Sequence, residues 1–217
     1  MKHKGLLFDL DGVIVDTAKY HYLAWKAIAE ELGITFTEED NERLKGVSRI
    51  RSFEIILEIG GRTMAPEDVE VWCTKKNEIY LDYIRKLRVD EILPGVREFL
   101  EDAKEKGYRI SLGSASKNSK LILERLNLYE LFDEIIDGTK TTQAKPDPEV
   151  FTLGTKALGL EPEECIVFED AVAGIQAAHG GGMLAVGIGF KDRLPEADFV
   201  IPGFLGMTID EIEKSLK

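Results

Sequence analysis

Six short apolar runs separated by helical patterns constrain this chain more than any other feature. They fall at residues 5–8, 110–112, 135–136, 165–168, 184–188 and 199–201. Runs this short, rich in Leu, Ile, Val and Phe, fit buried strands. Between most of them lie amphipathic segments. Pro94 opens one whose Val96, Phe99, Leu100 and Ala103 share a face and whose stop is Gly107. A second starts at Ser116 or Ser119 and runs through Leu126, a third covers 148–158, and a fourth follows Asp170, carrying Val172, Ile175 and Ala178. Strands alternating with helices predict an α/β fold, a Rossmann-like, doubly wound parallel sheet.

Residues 17–88 break this rhythm. They hold no strand pattern and read as four consecutive helices: 20–28 with Gly33 as stop, 38–44, 50–59 ended by Gly60 and Gly61, and 66–88 opened by Pro66. This stretch is an inserted α-helical domain, and residues 1–16 and 89–217 form the core. The two connections, 15–17 and 88–93, would run side by side as a hinge.

The chain carries 28 basic and 40 acidic residues, a net charge of −12. Such a surface repels nucleic acid and anionic membrane. It suits a monomer and a small-molecule substrate, and an anionic substrate would need its few cations concentrated on loops. No stretch is apolar enough to span a membrane. The basic Lys2-His3-Lys4 start is cut off by Asp9 after four apolar residues, unlike an export signal. Cys73 and Cys165 are distant in sequence, which suits free thiols in a reducing cytoplasm.

Polar groups gather where the strands end. Asp9 and Asp11 follow the first strand, and the strand period of two sends them to one side. A polar turn with Asp11 bonding backbone amides is the alternative reading of these residues. After the second strand come Ser114, Ala115, Ser116, Lys117 and Asn118, either an anion-binding turn or a plain serine cap. Lys145 precedes Pro146 and so lies on a loop, where a lysine is commonly just solvated. Glu169 and Asp170 close the fourth strand, as helix caps or as oxygen ligands for Mg²⁺. A parallel sheet collects all these ends on one edge. The chemistry they assemble is an Asp nucleophile, a second Asp as acid/base, a divalent cation, and a lysine and hydroxyl holding phosphate.

The set Asp9-Leu10-Asp11-Gly12, Ser114, Lys145-Pro146 and Glu169-Asp170 resembles the haloacid dehalogenase superfamily of aspartate-based phosphotransferases across nearly the whole chain. The helical insert looks like its mobile cap. Within it the chain is similar to the hexose phosphomutases, on Asp16-Thr17, His21, Trp25, the 44–49 segment with Ser52, and Lys76-Asn77. Resemblance implies that Asp9 becomes a phospho-aspartate and that Asp11 is the acid/base. Mg²⁺ would be held by Asp9, the Asp11 main-chain carbonyl, Glu169 and Asp170. Lys145 and Ser114 would hold phosphate oxygens. β-Glucose 1-phosphate and 6-phosphate would interconvert through β-glucose 1,6-bisphosphate, with a sugar-phosphate phosphatase as the alternative activity.

The same resemblance assigns the non-reacting phosphate to Arg49, Ser116, Lys117 and Asn118. It gives the sugar hydroxyls to Lys76 and the loop of Lys45, Gly46, Val47, Ser48 and Ser52, and places Ala115 in the core turn. Thr17 and His21 would couple closure of the cap to Asp11. Arg51 departs from the pattern and would add a cation nearby. From sequence spacing alone, Arg49 is also readable as a solvated first residue of a helix.

Overall fold

The computed structural model describes residues 2–44 and 48–216. Along the chain run β1 (Gly5–Phe8), then α1 (Ala18–Glu31), α2 (Glu38–Glu42), α3 (Arg49–Ile59) and α4 (Pro66–Ile84). The alternating part follows: α5 (Val96–Glu105), β2 (Arg109–Gly113), α6 (Ser119–Arg125), β3 (Glu134–Ile136), α7 (Glu149–Leu158), β4 (Cys165–Glu169), α8 (Val172–Gly180), β5 (Leu184–Ile188), β6 (Phe199–Ile201) and α9 (Ile209–Ser215). Among the described residues the strands form one six-stranded parallel sheet, ordered β3-β2-β1-β4-β5-β6. The order reverses at β1, the switch point where such sheets place their ligands.

Alternation along β1 explains the two covered faces. Phe8 stacks on Phe168 at 4.6 Å and 6°, and both meet Phe99 and Phe204. Leu7, one residue earlier, faces the opposite way with Val150, Phe151, Val167, Ile175 and Ala185. There α7 lies so close that a Cβ on Gly154 would come within 2.7 Å of Leu7 Cδ2. Strands buried on both faces have no polar register to keep, hence their continuous apolar runs.

The chain divides into two compact units, Met1–Asp16 with Leu87–Lys217, and Thr17–Lys86. The helical unit has its own core, where Phe53 stacks between Trp25 (6.1 Å) and Trp72 (6.3 Å) over Ile28, Phe36, Ile56 and Cys73. Its helices are started locally. Thr37 and Asp40 form a capping box on α2, Ser48 Oγ accepts from Arg51 N–H at 3.2 Å on α3, and Pro66 opens α4.

Several boundaries differ from expectation. The α5 helix begins at Val96 rather than Pro94, because Gly95 takes a left-handed conformation (φ 81°) as its N-cap. Of the two starts for α6, the later holds, with Ser116 and Lys117 left in a turn. The α4 helix stops at Ile84, short of Arg88, and the return to the sheet unit falls at Leu87. The closing helix α9 was not anticipated, although Thr208 and Glu211 form a capping box at its start. No described helix is long and apolar enough to cross a membrane.

Candidate active site

The register of the sheet builds the site. Phe8 pairs with Leu112 on one side and Phe168 on the other. The next residues, Asp9, Gly113 and Glu169, are therefore neighbours across three strand ends. Asp9 N–H donates to Phe168 O at 3.0 Å, which anchors that end of β1. Lys145 spans all three: its Nζ donates to Asp9 Oδ1 at 2.6 Å, Glu169 Oε1 at 2.5 Å and Gly113 O at 3.1 Å.

These side chains are enclosed, with exposures of 14% for Lys145, 13% for Asp9 and 2% for Glu169. The solvated reading of Lys145 is thereby ruled out. Burial alone would lower the lysine pKa, but Asp9 and Glu169 outweigh it and raise it, so the ammonium persists. Burial and the Asp9 charge push Glu169 upward. Asp170, more open to solvent, is pushed up to about 6 by partial burial and by Asp9.

Asp9, Glu169 and Asp170 offer carboxylate oxygens within 4.8 Å of one another. The donor set is all oxygen, as a hard divalent cation requires. The backbone is shaped to it: a Cβ on Gly12 (φ 79°) would come within 2.0 Å of Asp170 Oδ2. These residues fit Mg²⁺. Asp11 is half-buried on the turn after β1, where Gly12 N–H donates to Val15 O at 2.8 Å. The three-acid cluster does not include it.

Neither strand-end signal turns out to be a helix cap. The N-cap of α8 is Ala171 and that of α6 is Asn118, neither with a side-chain cap bond. Ser114 is buried, and its Oγ accepts from Ser116 N–H at 3.1 Å, leaving its own proton to give. Ser116 Oγ accepts from Asn118 N–H at 3.3 Å. Ala115 and Lys117 are exposed on this turn, whose Ala115 carbonyl Gly138 approaches so closely that a Cβ there would lie 2.1 Å away.

The helical unit carries a second cluster. Lys76 is buried, its Nζ 4.9 Å from the ring centroids of Trp25 and Tyr80 and 2.8 Å from His21 Nδ1. Burial and the Arg49 charge lower Lys76 to about 7. Burial, then Lys76 and Arg49, lower His21 to about 3, so a neutral imidazole accepts from the lysine. His21 stacks on Tyr80 at 4.1 Å, and Tyr80 Oη donates to the buried Thr17 Oγ1 at 3.2 Å. Arg49 is exposed at the first position of α3, and its Nη2 donates to the Asn77 amide oxygen at 3.0 Å.

The remaining helical-unit assignments divide. Ser48 caps α3, and Ser52 is buried with its hydroxyl donated to Ser48 O at 3.0 Å. Arg51 bonds Glu54 and Glu58, so its charge is neutralised on its own helix. Lys45, Gly46 and Val47 lie outside the described residues. Sequence reasoning missed the Lys145–Glu169 contact, which no local pattern signals because Lys145 lies on a loop outside the strands.

Two aspartates just past β1, a serine turn after β2, a loop lysine and an acid pair at the end of β4 define a class. Residues 3–182 match the family model of haloacid dehalogenase-like hydrolases, and the chain belongs to that family. It is 41% identical over 209 residues to the β-phosphoglucomutase of Bacillus subtilis, covering 95% of this chain and 92% of that one. The crystal structure of β-phosphoglucomutase from Clostridium difficile superposes with a TM-score of 0.89 at 38% identity, covering 99% and 97% of the two chains. A phosphorylated carbohydrates phosphatase of Thermotoga maritima is 32% identical over 83% of this chain and 82% of its own.

Proposed function

We propose that this protein is a Mg²⁺-dependent β-phosphoglucomutase, interconverting β-D-glucose 1-phosphate and 6-phosphate through a phospho-aspartate and β-glucose 1,6-bisphosphate. The observation that carries the mutase reading is the pairing of Arg49 and Lys76. Two basic side chains of the helical unit lie close enough for the Arg49 charge to depress Lys76, and no ion pair to a carboxylate is formed by either among the described residues. Like charges held together without an acid are stabilised by a bound anion. A hydrolase working at one phosphate has no need of a second such site, whereas a mutase handles a bisphosphate.

Asp9 carries the phosphoryl group. The C6 hydroxyl of glucose 1-phosphate takes it, losing its proton to Asp11, and the bisphosphate forms. After reorientation Asp9 attacks the C1 phosphate, the C1–O–P bond breaks at phosphorus, and Asp11 returns the proton to the leaving oxygen. Lys145 and the Ser114 hydroxyl hold the equatorial oxygens as charge builds. Bound by Asp9, Glu169, Asp170 and the Asp11 carbonyl, Mg²⁺ would neutralise the phosphoryl group against these acids. Arg49 grips the distal phosphate in two parallel bonds, a geometry open to a guanidinium, and Ser116, Lys117 and Asn118 serve the same role on the sheet unit. Lys76 and His21 meet the sugar hydroxyls. The protein acts as a monomer on a small sugar phosphate, and its buried free thiols Cys73 and Cys165 suit the cytoplasm.

The test supplies β-glucose 1-phosphate, Mg²⁺ and trace bisphosphate and follows glucose 6-phosphate and free phosphate together. Glucose 6-phosphate should dominate, and EDTA should stop turnover. Free phosphate as the main product would establish the phosphatase instead. Asp9→Asn should abolish transfer.

A further inference from the structure

The α8 helix begins oddly. Its N-cap is Ala171 with no side-chain bond, it has no acidic residue in its first turn, and its third residue is Gly174. Glycine inside a helix is destabilising relative to alanine. Its φ lies outside the left-handed region, so backbone strain does not explain it. Space does. A Cβ on Gly174 would lie 1.9 Å from Glu169 Cδ, 2.0 Å from Oε1 and 2.4 Å from Oε2.

The Glu169 carboxylate thus sits against the first turn of α8. Oε2 accepts from Ala171 N–H at 3.1 Å, and Oε1 accepts from Lys145 Nζ. One carboxylate meets the helix dipole that no cap residue answers and also shares the lysine with the nucleophile. We infer that Gly174 is a positioning residue for phosphoryl transfer: its missing side chain is the seat of the Glu169 carboxylate, and that seat sets how Lys145 divides itself between Glu169 and Asp9.

A methyl group at 174 has nowhere to go, since the intruding atoms are a whole carboxylate fixed at both oxygens. Glu169 must swing out. It then gives up Ala171 N–H and Lys145, leaves the cluster with Asp9 and Asp170, and leaves Lys145 with Asp9 as its one acidic partner of the two. The inference rests on the proposed phosphoryl-transfer role only for its metal arm, and its stability arm is independent.

The experiment combines Mg²⁺ calorimetry with thermal melting of the metal-free protein. Gly174→Ala should weaken Mg²⁺ binding about 10-fold or more, the usual size for a residue supporting a ligand, and lower the melting temperature. In a Glu169→Ala background the same change should be neutral or stabilising, because the seat is vacant and alanine favours helix. Gly180→Ala, on the same helix with nothing nearer than 3.9 Å, should leave Mg²⁺ affinity unchanged. Wild-type-like Mg²⁺ binding by Gly174→Ala, or an equal melting loss in both backgrounds, would overturn the assignment. If Gly174→Ala alone does not fold, recovery in the Glu169→Ala background supports the seat, and continued failure there overturns it. A wild-type protein that bound no Mg²⁺ would refute the metal reading, and the melting pair would then decide the role of Gly174.

Discussion

Lys145 joins the two enclosed acids Asp9 and Glu169, and removing it leaves both without a counter-charge. Breaking such a set by deleting one partner costs about 3 kcal/mol or more. Lys145→Met should lose about that much in urea unfolding at neutral pH without metal, and added Mg²⁺ should recover part of it. His21 and Lys76 make a different statement, because both are depressed. Between pH 6.5 and about 3 the unfolded chain takes a proton that native His21 refuses, so stability falls on acidification. Between about 7 and 10.5 the unfolded chain keeps a proton that native Lys76 gives up, so stability rises with pH. The helical unit should therefore gain stability from acid to alkaline pH, and melts across the range should flatten in His21→Gln and Lys76→Met. That Asp9, Lys145, Glu169 and Asp170 gather at one edge of the sheet was legible from their places at strand ends and the loops that follow. Their partners were not: that Lys145 reaches Glu169, or that Arg51 is spent on Glu54 and Glu58, depends on side-chain reach across elements far apart in sequence.

The elements follow the same division. Strands buried on both faces announce themselves as apolar runs, and all six fell where the sequence placed them. Helix ends were harder. Gly95 acts as an N-cap through its backbone conformation, with no side-chain signal, and α4 ends without a glycine or proline to mark the place. The α9 helix had its signal in Thr208 and Glu211, but a seven-residue helix offers few turns of periodicity. In the helical unit, α1, α3 and α4 are joined through Phe53 between two indoles. Phe53→Ala should destabilise by about 3–5 kcal/mol, the range for emptying an aromatic site in a core, read by denaturant unfolding. Trp25 and Trp72 report it directly, and their fluorescence should shift even where the fold survives.

At the scale of the whole molecule, the net charge of −12 is set against a few placed basic groups: Lys145, held between two acids in one unit, and Arg49 beside Lys76 in the other. An anion is repelled by most of such a surface, which favours discrimination over indiscriminate anion capture. The division into units also bears on how such a protein changes over generations. Leaving the sheet unit at Asp16 and rejoining it at Leu87, the chain is stitched shut by a bridge between Val15 and Ile92 and by Leu93 N–H on Ile14 O at 2.9 Å. Both ends of the excursion are thus anchored at one spot on the sheet unit. A segment spliced between closely spaced ends can be lengthened, shortened or exchanged without redrawing what lies outside the splice. Thr17–Lys86 is in that sense a cassette, exchangeable while the acids at the strand ends of the sheet unit stay in frame.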